Sequence, residues 1–530
     1  MKIIRYFLIC VAVFSFTSCG SFLEEYSQDH DYVKSWNDLN ELLIGDCYMP
    51  VNNSGEFLGY SNSGMFLHLL SDEIEEQVSG PVQSPVSFDN HGYEFGYLTW
   101  QQRTGTKDDY TGFFAENQAW TKMYKYINVA NNVLHSSENL PKGLDSEIAG
   151  ANYVNGQAHF LRGFYYFWLV NAYGQPYNPS TASTDLGVPI KTSEEVVDVK
   201  YTRNTVQECY NQIVSDLLAA EKELSAGSSV KRKSIYRADS TSAILLLSRV
   251  YLYMQNWQKA AEYSQKLINL HSAIQDINSN NAAFQSIDNP ETIFSMGGDD
   301  LPNFMCYASQ SLRVSNSLYN LYSVNDARKD LWYIKYGAFQ GVAKQPAVYN
   351  AQTYNRGQAD YYWGYYTLTS DKRDISSLFW LRSGEAYLNL AEAEAYIGHE
   401  DAAREAVNKI RRARIYPSAS GIDITSTGSQ LITDIRNERK LEMAFEGQRW
   451  FDLRRYRVCG VQPEKTSITH TYTYYQDRGS ANALETHKFV LKEEDASWTL
   501  PIPQEVIDFN VGMPNNGNAY REYETVSIPQ

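Results

Sequence analysis

Residues 238–270 read ADSTSAILLLSRVYLYMQNWQKAAEYSQKLINL. Apolar residues recur here every three or four positions on either side of a tight Asn256-Trp257 turn. That spacing predicts two antiparallel helices, 238–254 and 257–270. The small pair Ala260-Ala261 lets the second helix lie close against the first. A similar device appears at 388–410, where Gly398-His399-Glu400-Asp401-Ala402-Ala403 aligns with Asn256-Trp257-Gln258-Lys259-Ala260-Ala261.

Both units resemble tetratricopeptide helix pairs. They lie far apart in the chain, so no regular 34-residue array is expected. Working outward, further helices are predicted over 36–49, 113–135, 147–173 and 202–224. The helix over 147–173 is stopped by Gly174 and Pro176. Residues 50–110 and 275–372 lack sustained periodicity and are rich in Gly, Asn, Ser and Tyr. Irregular stretches of this length in a compact domain are usually functional. Residues 291–295 predict a short strand, SLRVSNSLYNLYSVNDARKD (311–330) a helix, and TYTYY (471–475) a hairpin strand. Pro503 suits the first position of a helix. The expected fold is mainly α: a degenerate tetratricopeptide-like helix-pair scaffold with two long loop-rich insertions and minor β. The single domain is expected over 36–530.

Residues 431–457, LITDIRNERKLEMAFEGQRWFDLRRYR, predict one charged helix interrupted at Gly447. Glu438, Glu442 and Glu446 fall one turn apart. Arg439 lies three residues before Glu442 and Arg449 three after Glu446, within reach across a turn. Arginines beside carboxylates favour the ionised form. The stretch therefore reads as an ion-paired clamp between packed layers rather than an acid–base site.

ER-x-LE-x-x-FEGQRWFDLRR closely resembles the C-terminal signature of the SusD/RagB family, outer-membrane lipoproteins of Bacteroidetes that capture nutrients. Other residues agree. Trp120, Tyr124, Ile127, Ala130 and Asn131 resemble the family's W-x-x-x-Y-x-x-I-x-x-AN helix. Phe160, Leu161, Arg162, Tyr165, Tyr173 and Gly174 resemble its FLR-x-FYYF…YG helix. Glu291 to Ser295, Asp326-Ala327-Arg328 and LPIPQEV (500–506) resemble further family pieces, the first opening a ligand-facing segment.

At the N-terminus, Lys2 and Arg5 precede the apolar run 6–16, too short to span a bilayer. It ends at Thr17-Ser18-Cys19, which resembles a lipobox. Residues 1–18 are expected to be a lipoprotein signal peptide, Cys19 the lipidated residue, and 19–35 a tether. The formal charge of −16 argues against nucleic-acid binding, which cationic side chains on phosphate dominate. Of the six cysteines, Cys47, Cys209, Cys306 and Cys459 lack paired spacing and read as buried thiols. His159, on an aromatic helix, reads as a satisfied core histidine. No nucleophile elbow, zinc motif, P-loop or dinucleotide fingerprint is present. No catalytic residue, metal site or cofactor is indicated; bound structural calcium is compatible with the sequence without being indicated by it.

The chain is 14% aromatic, with 41 Tyr and 10 Trp. Aromatic faces and amide edges are the groups that hold sugars. Composition and position select Tyr93, Tyr97, Trp100, Asn303, Tyr307, Tyr361 and Trp363 as ligand-contact candidates. The resemblance implies a non-catalytic, surface-exposed glycan-binding lipoprotein partnered with a SusC-like TonB-dependent outer-membrane transporter. A peptide-binding member of the family is the alternative. A surface hydrolase using a carboxylate pair such as Asp72 and Glu75 is a third reading.

Overall fold

The computed structural model describes residues 33–49, 66–76, 94–108, 118–195, 197–231, 234–278, 283–296, 301, 305, 312–336, 339–344, 347–356, 359–368, 374–475, 483–517 and 520–526, with 347–356 and 359–368 described as backbone. The expected leader, Cys19 and most of the tether lie outside them.

The scaffold is a stack of helices in which each packs on the next. Helix α1 (Trp36–Asp46) lies on α3 (Gln118–Ser137) and α4 (Asp145–Tyr173). Then come α5 (Val206–Ala226), α6 (Ser240–Tyr253) and α7 (Trp257–Leu270). The chain next leaves the stack for more than a hundred residues. It returns as α10 (Ser383–Tyr396), which packs directly on α7 and carries α11 (Glu400–Arg412) and α12 (Gly428–Glu442). The second insertion is therefore looped out of a continuous stack.

Helix α4 is the axis of the scaffold. From Ala149 to Tyr173 nearly every side chain is buried, the pattern of a helix enclosed on all sides. Gly150 admits the Trp36 ring, which a β-carbon would meet at 2.2 Å. Caps follow the sequence: Thr205 and Glu208 form a reciprocal capping box on α5, and Asp239 accepts from Ser242 N on α6.

The two helix pairs share a turn. Gln255 (φ 60°) and Asn256 (φ −89°, ψ 76°) match Gly398 (φ 85°) and His399 (φ −90°, ψ 66°). This register corrects the alignment read from sequence by one residue. Ala260 corresponds to Ala403, both fully buried, whereas Ala402 is exposed. The left-handed position that glycine fills most easily sets the equivalence.

Three other expectations change. The 311–330 stretch is a strand, β3 (Leu312–Val314), followed by short helices α8 (Asn316–Tyr319) and α9 (Ala327–Leu331). The acidic run at 72–76, which reads as a solvated helix end, instead forms β1 (Ile74–Glu76), paired antiparallel with β3 and with Glu73 and Glu76 buried. The 431–457 stretch is two helices, α12 and α13 (Arg449–Arg457), because Phe445 (φ 58°) and Gly447 (φ 71°) turn the chain between them. The 50–110 insertion also contains α2 (Phe66–Leu70) and a helical turn over 94–98.

Strand β2 (Thr292–Ser295) pairs with β8 (Trp380–Arg382). Strands β4 (Tyr333–Tyr336) and β5 (Phe339–Val342) form one hairpin, and β6 (Ala347–Arg356) and β7 (Ala359–Leu368) a longer one. The second insertion thus carries two hairpins among its described residues. TYTYY lies in β9 (Ile468–Tyr475), which pairs with β10 (Ala483–Leu491); β11 (Tyr523–Val526) completes that sheet. Pro503 caps α14 (Gln504–Phe509) one residue earlier than expected. Cys47, Cys209 and Cys459 are buried free thiols. Among the described residues no helix is long and apolar enough to cross a membrane.

Candidate functional site

The candidate aromatics separate into three groups. Tyr97 and Trp100 belong to the core. Tyr97 is 7% exposed and stacks on Phe66 at 4.6 Å. Trp100 is 1% exposed and stacks on His470 at 4.6 Å, and its indole N–H donates to the Leu70 carbonyl at 3.1 Å. Neither offers a ring face to a ligand, so both expectations are corrected. Aromatic residues beside Gly and Asn read alike whether a short helical turn folds them inward or a loop holds them out. Tyr93, Asn303 and Tyr307 lie outside the described residues. Tyr361 and Trp363 form the third group, on β7.

Strands β6 and β7 pair over ten residues each, from Ala347↔Leu368 to Arg356↔Ala359. Residues directly opposite share a face, and alternate residues along a strand repeat it. The pairs Tyr354↔Tyr361, Gln352↔Trp363 and Asn350↔Tyr365 therefore place four aromatic positions, two amides and Arg356 on one face. Tyr362, Asn355 and Asp360, which adjoin the candidates in sequence, fall on the other. Tyr354, Tyr365, Gln352 and Asn350 are the positions that composition alone did not select. Their signal is the alternation of the two strand-like runs on either side of Gly357.

Two residues that flank this ribbon in the chain are held by the signature stretch. Lys344, just before β6, donates to Glu446 Oε1 at 2.5 Å. Arg382, closing β8 on the return, donates to both Glu446 oxygens at 2.9 and 3.0 Å, to Glu442 at 2.8 Å and to Glu291 at 2.9 Å. Arg414 bridges Glu291 (2.6 Å) and Glu442 (2.8 Å). Arg328 joins Asp326 (2.7 Å), Glu438 (2.8 Å) and Glu442 (2.9 Å). Arg411 completes the group on Glu438 at 2.6 Å. Glu291 and the D-x-R element thus sit in a buried ion lattice. Burial alone would raise the Glu442 carboxyl, but Arg414, Arg382 and Arg328 hold it well below the usual carboxylate range. Arg382 also donates to the Glu442 carbonyl at 3.0 Å, satisfying a backbone oxygen freed where α12 ends.

The two arginines expected to pair within the signature helix reach elsewhere. Arg439 takes Asp452 at 2.8 Å and the Asn389 amide oxygen at 2.7 Å. Arg449 takes Asp72 at 2.7 and 2.9 Å. The break at 443–448 redirects the residues after it, so across-turn spacing no longer applies.

The carboxylates of the hydrolase reading are engaged. Asp72 meets Arg449 and Lys440, and Glu75 meets Arg313 at 2.6 Å and the Asn316 amide at 2.8 Å. Burial would raise Asp72, but Arg449 and Lys440 outweigh it and keep the carboxyl far below its ordinary value. It is a poor proton donor at neutral pH. His159 bonds Glu223 at 2.7 Å across the α4–α5 contact, as a satisfied histidine. Among the described residues no cluster of three or more His, Cys, Asp or Glu is grouped to hold a metal ion.

The SusD family model matches residues 272–520, and a second model, described as starch-binding associating with outer membrane, matches residues 69–252. The chain belongs to the SusD/RagB family. The two SusD-family matches take in the signature helices and the α4 region alike. SusD-like protein P2 of Formosa agariphila is 26% identical over 440 residues, 75% of this chain and 79% of its own. A SusD superfamily protein from Bacteroides thetaiotaomicron superposes with a TM-score of 0.66 at 20% identity, over 91% of this chain and 100% of that one. A SusD-like carbohydrate binding protein from Bacteroides vulgatus gives 0.63 at 20% identity, over 91% and 97%. These SusD structures share the helical scaffold, and at such identity they speak to the fold alone.

Proposed function

We propose that this SusD-family chain is a non-catalytic glycan-capture protein. Anchored by lipid on Cys19 at the outer-membrane surface, it passes oligosaccharide to a partner TonB-dependent transporter of the SusC-like type. The observation that carries the binding reading is the ribbon: Tyr354, Tyr361, Trp363 and Tyr365 share one face with Asn350, Gln352 and Arg356. Rings suit the apolar faces of sugars, and amides and guanidinium suit their hydroxyl edges. Lys344, three residues before β6, is held in the ion lattice, which supports an anchored base for the ribbon. The carbohydrate-binding relative from B. vulgatus and the starch-binding family description favour a glycan over a peptide.

Calorimetric titration of the mature chain against plant and host oligosaccharides, neutral and acidic, with peptides as comparison and product analysis of each mixture, tests this. Saturable glycan binding without cleavage, weakened in Trp363→Ala and Tyr361→Ala, is the expected result. Cleavage would overturn the non-catalytic reading. Binding of peptides alone would overturn the glycan one.

A further inference from the structure

A second cleft, away from the ribbon strands, carries unbalanced charge. It lies where the C-terminal end of α4, helix α13 and the 494–499 and 516–517 segments meet, and encloses ≈ 430 Å³. That is within the range of small-molecule sites. Arg454 and Arg457 of α13 line it.

Most arginines of the signature stretch have carboxylate partners: Arg439 has Asp452, Arg449 has Asp72, and Arg455 has Glu392 and Asp452. Arg454 does not. It is 1% exposed, and its guanidinium donates to the carbonyls of Asn171 and Gly174 and to Thr499 Oγ1 at 3.0 Å. All three acceptors are neutral. Two of them, the Asn171 and Gly174 carbonyls, lie at the end of α4, which the guanidinium caps, and the Arg454 Nε–H is left without a partner. Burial, reinforced by the charge of Arg457, pushes Arg454 down to about 10, as expected of a guanidinium without a counter-ion.

Arg457 lies over the Trp498 ring at 4.4 Å, with a buried Nη1 that has no partner. No carboxylate among the described residues makes an ion pair with either arginine. The acidic residues of the rim are already committed: Asp495 to Arg521 at 2.5 and 3.0 Å, and Glu494 to Lys465 at 2.5 Å. Burial pushes Arg457 below its ordinary value, and the nearby Glu494, Glu493 and Asp495 offset part of that.

We propose that this cleft binds a small oxyanion, a carboxylate or sulfate group, between Arg454 and Arg457. Guanidinium N–H groups match such oxygens in geometry and charge, and the bond is strongest where water is excluded. Gln175 and Asn178 line the same cleft; their amide oxygens accept from Thr499 Oγ1 at 3.3 Å and Ser180 N at 3.0 Å, and their amide N–H₂ groups are donors of the kind a sugar hydroxyl accepts from. The anion has two possible sources, a free inorganic oxyanion or the charged group of a sugar ring.

The test is calorimetry and thermal unfolding of the mature chain with sodium sulfate, sodium glucuronate and neutral glucose at constant ionic strength. Substitution of Arg454 would uncap α4, so Arg457→Gln carries the test. A saturable heat and a rise in Tm with sulfate or glucuronate, but not with glucose, are expected. In Arg457→Gln the affinity should fall by about tenfold or more, the loss of one charge-assisted contact. Tighter glucuronate binding assigns the site to a sugar-borne carboxylate; tighter sulfate binding assigns it to a free oxyanion. No saturable response to either anion, or an unchanged response in Arg457→Gln, would overturn the proposal. The Arg457→Gln comparison and the sulfate arm separate this site from any glucuronate taken by the ribbon, so failure here is distinguishable from failure of the glycan reading.

Discussion

Glu442→Gln removes one charge and almost no volume from the most connected carboxylate of the lattice. Glu442 is fully buried and accepts from Arg328, Arg382 and Arg414 at 2.8 to 3.2 Å. Five carboxylates (Glu291, Asp326, Glu438, Glu442, Glu446) face five cations (Arg328, Lys344, Arg382, Arg411, Arg414) in this lattice. The substitution leaves one positive charge in excess and turns an N–H₂ group toward guanidinium donors. Removing one partner of a buried pair costs about 3–5 kcal/mol. Glu291 and Glu446 still hold Arg382, and Glu291 still holds Arg414, so the loss should stay within that range rather than triple. The same chemistry at Glu524, whose bond to Lys488 is largely exposed, should cost less than about 1 kcal/mol. Urea unfolding at neutral pH, followed by tryptophan fluorescence, compares the two. A Glu442→Gln loss equal to that of Glu524→Gln would refute the view that the lattice is a desolvated, interdependent unit.

Other consequences can be checked on the same material. Glu442, Glu392, Asp72 and Asp452 all have carboxyls held below their ordinary values of 4.5 and 3.8 by neighbouring arginines or lysine. Their stabilisation is complete above those values and is lost progressively as pH falls below them toward the depressed values of the folded protein, so urea midpoints should be level near neutrality and decline continuously below about pH 4.5. Trp100→Ala should cost about 3–5 kcal/mol as a cavity in the core, with glycan affinity unchanged wherever the protein remains folded by circular dichroism. Gly150→Ala gains up to about 1 kcal/mol of helix propensity but drives a methyl into Trp36. Net destabilisation, with a shift in tryptophan emission, is expected; a more stable protein would show that the α1–α4 contact yields freely.

The scaffold was legible because helices announce themselves locally. The apolar spacing of 238–270 and the aromatic run of 147–173 each gave an element within a few residues of its bounds. The break after Glu442 was marked by Gly447, yet what it achieves was not visible. Partners such as Lys344 and Arg382 lie 60 or more residues away from the carboxylates they meet. The solvated reading of 72–76 failed for the same reason, since acidic residues are solvated only until distant arginines arrive. Among the candidate aromatics, Trp100 and Trp363 have similar neighbours in sequence. They part company because a helical turn buries the first and a paired ribbon carries the second, and in each case the partner segment is remote.

The lattice also sets an order in time. Its cations, from Arg328 to Arg414, precede Glu438, Glu442 and Glu446 in the chain, and the earlier carboxylates Glu291 and Asp326 cannot balance them. A chain made from its N-terminus therefore exposes the positive side of the lattice first, and the core cannot close around it until residue 446 has emerged. Contacts of such long sequence separation form late and slowly. A product cut short before that point would hold five cations against the two carboxylates Glu291 and Asp326. It should remain open to proteases, so that only chains made past Glu446 persist.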